Sequence, residues 1–335
     1  MERRAFLASA GATLLAVPRA AKATGGLDVE AQPALHTMRV LLASGGFPSP
    51  QTIDGWHFRW NDREYRGRAA TVKLADGRMG LVDSVALDAY LYGVVSKEVS
   101  ASWPPAAQQA QAILSRTFAL RRLRPNREYD VVASEADQRY DGIPGETVEG
   151  RAAVDATAGE IVTFAGEPAH VAFSACCGGH TADAADAWHT AYPYLQGVVD
   201  PHCAGTPDFA WQGAVSAADL SRAWPALGGF GRLRAAELQD FDPSGRPRAL
   251  AFIGERGSLS VATLEFRSKL GASVVRSTLV RRATLERDGS LTLEGNGRGH
   301  GVGLCQWGAR MMAQGGAGPR EIVQFYLPDT ALGSG

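Results

Sequence analysis

A chain of 335 residues, 45% hydrophobic and 21% charged, has ample length to bury one large core or two ordinary ones. Its formal net charge of -1 leaves neither an acidic tail nor a strongly basic surface, which argues against nucleic acid as a partner. Four cysteines are too few to hold a scaffold of this length, so the core must do most of the stabilising.

The first 23 residues, MERRAFLASAGATLLAVPRAAKA, carry basic Arg3 and Arg4, an apolar run from Ala5 to Val17 and the small-x-small triplet Ala21-Lys22-Ala23. They read as a cleaved export signal similar to the twin-arginine type, which sets the expected location as the periplasm or cell envelope. The run is short of the roughly 20 residues a membrane span needs. Residues 24–85 form a predicted β-rich lead-in, with β-favouring runs at MRVLLAS, EYRGRAATVKLA and RMGLVDSVAL separated by Gly and Asp-Gly turns.

At Leu87 the period changes. Leu87, Tyr90, Leu91, Val94 and Val95 predict an amphipathic helix, and Glu98 is the next residue on its stripe. The segment ASWPPAAQQAQAILSRTFALRRL predicts a second helix, opened by Pro104 and Pro105 and apolar nearly all round, so Gln111 and Arg116 within it need partners. Residues 124–165 read as loop-rich, closing on a predicted strand pair, GEIVTF with HVAFSA. About residues 206–292 form a mixed α/β insertion, and the chain closes with a Gly-rich loop and two helical segments. The region from 86 to 335 is thus expected to hold the chemistry.

Three stretches carry candidate residues. A carboxyl on an apolar helix stripe is desolvated and its pKa should rise, which makes Glu98 a usable general acid; a helix ending earlier would leave it facing water or paired with Arg116. In GNGRGHGVGLCQWG no register supplies a dinucleotide fingerprint, whereas His300, Gln306 and Trp307 offer a donor, an amide and a stacking face suited to a sugar. In SACCGGHTADAADAW, Cys177 and His180 stand across a Gly-Gly turn, and His202-Cys203 follow about two dozen residues on. Three readings stay open there: zinc on Cys176, Cys177, His180 and Cys203 with His202 as an alternative ligand, a disulfide from Cys203 to Cys176 or Cys177, or a thiol nucleophile using His180 or His189. Cys305 reads as a small core residue.

Together, YLYGVVSKEVSASWPPAAQQAQAILSRTFAL, FSACCGGHTADAADAWHTAYPYLQGVVDP and GRGHGVGLCQWGARMMAQGG with IVQFYLPDT resemble the stage II sporulation protein D and amidase-enhancer family, over roughly residues 38–332. The resemblance implies an α+β fold, with a helical catalytic core, flanking antiparallel sheets and a substrate groove between the first and last motifs. It implies a peptidoglycan lytic transglycosylase acting on strands that an amidase has stripped of stem peptides, with Glu98 as the catalytic acid. Gln111, Arg116, Ser174, His300, Gln306 and Trp307 are then expected to bind substrate, with Arg116 serving substrate or framework. The reaction requires no cofactor, although some members bind zinc through Cys and His. The chain departs from Ser-rich members in having Cys176-Cys177 in the central motif. Two alternatives remain: a non-catalytic wall-binding protein that stimulates an amidase, and a zinc- or cysteine-dependent peptidoglycan peptidase or amidase.

Overall fold

The computed structural model describes residues 36–335; the export signal read from residues 1–23 lies outside the described residues. Strand Thr37–Ser44 buries Met38 and Val40 completely and pairs antiparallel with Met79–Ala86. Arg68–Lys73 flanks Met79–Ala86 on its other side, and the short parallel strand Val131–Val132 closes the sheet beside Thr37–Ser44. A second sheet, Gln51–Thr52, His57–Trp60 and Arg63–Arg66, stacks Phe58 on Tyr65 at 5.1 Å between ring centroids.

Helix α1, Leu87–Glu98, starts where Met79–Ala86 ends, and its predicted stripe of Leu87, Tyr90, Leu91, Val94 and Val95 is buried under the sheet. Helix α2, Pro105–Arg121, is the central element of the fold. Ala112 and Ala119 join the core under the sheet, while Ala110, Ile113 and Leu114 join a second core that includes the C-terminal helices. Burial on two sides explains its Ala-rich sequence, because small side chains let neighbouring helices approach closely.

Two expectations fail between residues 124 and 175. The stretch read as loop contains helix α3, Val148–Ala156, capped by Thr147 Oγ1, which accepts from Gly150 N–H at 3.0 Å, and packed on α1 and α2. The predicted pair of GEIVTF with HVAFSA does not form. Glu160–Phe164 pairs with Ala331–Ser334 and with Glu167–Pro168, while Phe173–Ser174 pairs parallel with Leu304–Cys305. Gly303, at φ +71°, lets the distant partner run flush against residue 172, where a Cβ would collide with the Ala172 carbonyl oxygen.

Helix α4, Ala184–Trp188, follows the central motif and is capped by Asp183. Beyond it, Ala210–Val215, Leu291–Asn296 and Val280–Leu285 form one antiparallel sheet, and Leu233–Phe241, Pro247–Gly254 and Ser258–Ala262 another. With α5, Ala217–Ala223, and α6, Thr263–Leu270, they enclose a third core around Trp211, Trp224, Phe252 and Phe266. Helices α7, Gln306–Gln314, and α8, Pro319–Tyr326, close the molecule against α2. Helices with several small antiparallel sheets make the fold α+β, as expected from sequence. Among the described residues, no helix is long and apolar enough to cross a membrane.

Asp83 on Met79–Ala86 is fully buried; its Oδ2 accepts from Tyr140 Oη at 3.2 Å and its Oδ1 has no partner. Burial pushes this carboxyl up to about 8. The folded chain therefore keeps a proton that the unfolded chain releases near pH ~4, so the stability present below that pH is lost as pH rises towards about 8, by up to about 1.4 kcal/mol per pH unit. Asp83→Asn is expected to flatten this dependence, read as the urea midpoint between about pH 5 and pH 8. An unchanged slope would show that Asp83 ionises in its ordinary range.

Candidate active site

Glu98 is the last residue of α1 and lines a groove of ≈ 980 Å³. Burial is the main cause that raises its pKa, the negative charge of Glu135 adds to it, and a hydrogen bond from Gln306 opposes it. The carboxyl also sits at a helix C-terminus, where the carbonyl ends disfavour negative charge. The expected desolvated carboxyl is present, and Arg116 does not neutralise it.

The hydrogen bonds around Glu98 link the first and last motifs. Gln306, the first residue of α7, donates from Nε2 to Glu98 Oε2 at 3.4 Å and to Gln111 Oε1 at 3.2 Å. Gln111 in turn donates to Ser115 Oγ at 3.1 Å. Gln111 is completely buried, so it orients Gln306 from behind and does not reach substrate directly. Gln306 itself lines the groove.

Ser174 and His300 form part of the groove wall. Ser174 is buried and its Oγ has no hydrogen-bond partner. The backbone at Gly299, with φ +107°, makes room for it, since a Cβ there would lie 2.8 Å from Ser174 Cβ. His300 Nδ1 accepts from Val302 N–H at 3.0 Å, which places the proton of the neutral ring on Nε2. Burial holds its pKa down to about 4, against a hydrogen bond with the Phe173 backbone, so the ring is neutral and already has a partner on each side.

Two residues expected at the substrate lie elsewhere. Arg116 is only 2% exposed, and its guanidinium is occupied by Asp88 Oδ1 at 3.1 Å, Thr157 Oγ1 at 3.3 Å and the carbonyls of Val154 and Glu160 at 3.0 and 3.2 Å. It joins α2 to α1, α3 and the following strand, as a framework residue would. Trp307 turns away from the groove: its indole N–H donates to Asp208 Oδ2 at 2.9 Å and its ring packs on Trp103 and under Arg310. Trp188 and Tyr192 supply the aromatic surface instead, and Trp188 lies 5.0 Å from His300 between ring centroids.

Sequence reasoning also missed the groove's charge. Lys97, Arg122, Arg139, Arg267, Arg276 and Arg298 line it, against Glu98, Glu135 and Asp137. They come from well-separated stretches of chain, so no single basic run marks them together.

The cysteines are all free and buried, and none lines the groove, so nothing there supports the thiol-nucleophile reading. Their grouping also differs from expectation. The donor atoms of Cys177, Asp200, Cys203 and Cys305 lie within 4.8 Å of one another. His180 is excluded because the glycines at 178 and 179, both at positive φ, swing it off to bond the Thr181 carbonyl from Nδ1 at 2.8 Å. Cys176 is not one of those four, although its thiol stands beside the thiols of Cys203 and Cys305. His202 contributes its backbone N–H to Asp200 Oδ1 while its ring packs on Phe325. Cys305, expected as plain core, belongs to the cluster.

The structure is thus an α+β protein with a desolvated glutamate at the end of a helix, tied through one glutamine to a Gly-rich motif and lining a groove. The stage II sporulation protein family profile matches residues 75–164, which span α1, α2 and α3 and include Glu98. An uncharacterized protein of Brachyspira hyodysenteriae is 32% identical over 285 residues, 82% of this chain and 73% of its own. Stage II sporulation protein D of Bacillus subtilis is 28% identical over 273 residues, 75% of each chain. The amidase enhancer of the same organism is 27% identical over 291 residues, 73% of this chain but 40% of its own. The chain belongs to the stage II sporulation protein D family, which gives it a cell-wall-related function.

Proposed function

We propose that the chain is an exported peptidoglycan lytic transglycosylase that cleaves MurNAc-GlcNAc linkages of denuded glycan and leaves 1,6-anhydro-MurNAc ends. The observation that carries this reading is Glu98. Of the three carboxyls lining the groove, Asp137 accepts from Arg122 and from Val132 N–H, Glu135 is exposed, and only Glu98 is both shielded from water and raised in pKa. Hydrolytic glycosidases ordinarily use two carboxyls. A lytic transglycosylase uses the sugar's own C6 hydroxyl as nucleophile, so one suffices.

Glu98 donates its proton to the glycosidic oxygen as the C1–O bond breaks and the GlcNAc side leaves as an alcohol. The resulting carboxylate takes the C6 hydroxyl proton as that oxygen bonds C1 and closes the anhydro ring, which returns the acid to its starting form. The hydrogen bond from Gln306 supports the carboxylate stage. Trp188 supplies a face for a pyranose ring, with Ser174 and His300 shaping the wall beside it. Arg267 and Arg276, which line the groove and have no carboxylate partner among the described residues, suit a strand whose lactyl carboxylates have been freed by an amidase. A location in the envelope follows from the substrate.

The name of the amidase enhancer favours one other reading, a wall-binding protein that stimulates a partner amidase. Mass spectrometry of products from purified denuded glycan separates the two: the purified chain alone is expected to release fragments with anhydro ends. Intact glycan, or fragments with ordinary reducing ends, would overturn the transglycosylase reading.

A further inference from the structure

We propose that Cys177, Asp200, Cys203 and Cys305 form a closed structural zinc site, separate from the acid/base groove. The argument begins with Asp200. Its carboxylate is completely buried, yet it has no ion pair among the described residues. Tyr326 Oη donates to Oδ2 at 3.0 Å, Cys177 Sγ lies 3.1 Å from the same oxygen, and His202 N–H donates to Oδ1 at 2.9 Å. Neutral donors alone leave a buried charge poorly compensated, and a buried carboxylate ordinarily faces a cation.

The side of Asp200 that lacks a cation faces three thiols. Cys177 Sγ and Cys203 Sγ are 3.5 Å apart, and all four donor atoms fall within 4.8 Å. Zinc-sulfur bonds of about 2.3 Å in a tetrahedron give sulfur-sulfur edges of about 3.8 Å, so the side chains already stand near the separation that a tetrahedral ion requires. Three sulfurs and one oxygen suit zinc, which accepts both and takes four ligands in structural sites.

The surroundings fit thiolates and a bound metal. Cys305 Sγ accepts the backbone N–H groups of Cys177 at 3.2 Å and Gly308 at 3.3 Å. Tyr326 holds the orientation of Asp200 in the manner of an outer-shell partner. Arg246, 4% exposed, donates to the carbonyls of Cys177 and His180 at 2.8 and 2.9 Å, placing a cation beside a cluster that keeps net negative charge with zinc bound. A Cβ on Gly308 would lie 2.5 Å from Asp200 Oδ2, so α7 can approach the carboxylate only through a glycine.

The ligands tie the central motif, the loop after it and the last motif together. Cys305 caps α7 and directly precedes Gln306, so an ion there would fix the start of the helix that presents Gln306 to Glu98. The ion takes no part in bond cleavage.

The test is metal content and cobalt spectroscopy of the full chain, purified under reducing conditions, with no glycan present. One equivalent of zinc per chain is expected, and Co²⁺ alone should give intense thiolate-to-cobalt charge-transfer absorption. His180→Ala should retain both. Asp200→Asn and Cys203→Ser should weaken zinc binding by about a hundredfold or more, beyond what loss of an outer-shell group costs. If a cysteine variant does not fold, the cobalt spectrum of the unaltered chain still counts its thiolates. Folded, reduced protein that takes up neither metal would overturn the proposal, as would binding lost in His180→Ala but kept in Asp200→Asn. A Cys177–Cys203 disulfide in exported, metal-free protein would overturn it too. None of these results depends on Glu98, so the glycan assay stands or falls separately.

Discussion

Glu98→Gln is expected to reduce release of anhydro-ended fragments from denuded glycan by at least about a thousandfold while leaving the thermal melt unchanged. The size follows from removing one group that serves as acid in the first half of the reaction and base in the second, each role ordinarily giving 10²–10⁴-fold. The fold should tolerate it, because Glu98 lies at the free end of α1 and its side-chain contact is one long hydrogen bond with Gln306. The neutral amide also removes the cost of ionising a desolvated carboxyl. In the unaltered chain kcat/KM should fall as pH rises through the raised pKa of Glu98, since the acid must begin protonated; residual turnover of Glu98→Gln should lack that limb. Activity within tenfold of the unaltered chain would sink the assignment.

The candidate acid was legible because its signal is local. Five apolar residues at helical spacing predict the stripe of α1, and a carboxyl in the next stripe position is desolvated wherever the helix packs. The need of Gln111 and Arg116 for partners was legible in the same way, from polar groups set in an Ala-rich helix, and both have them. The identity of those partners was not, because Val154 and Glu160 offer backbone carbonyls, which leave no trace in side-chain pattern. The same limit explains the mispaired strand at HVAFSA. Two β-favouring runs a few residues apart suggest a hairpin, and only the approach of residues 303–305, more than 120 residues on, displaces it. Spacing of Cys and His suggested a metal set, but Asp200 and Cys305 join through tertiary packing, and His180 leaves through two left-handed glycines. The cationic groove is likewise assembled from separated residues, in a chain whose overall charge is nearly neutral.

Arg116→Met is expected to destabilise the chain by about 3 kcal/mol, seen as a lower urea midpoint, while the folded fraction keeps its KM for glycan. Methionine keeps much of the stem volume and removes the fork, leaving the carbonyls of Val154 and Glu160 without their donors in a dry interior. Asp88 is 44% exposed at its side chain and can return to water, so the lost backbone bonds dominate over the lost ion pair. Lysine should not restore stability, because a single ammonium cannot reach acceptors on α1, α3 and the strand after it in the geometry that a planar guanidinium spans. A residue that held substrate would behave in the opposite way, raising KM with the midpoint unmoved. The stability and KM readouts therefore separate the framework role that the buried guanidinium supports from the substrate role that the first motif suggests.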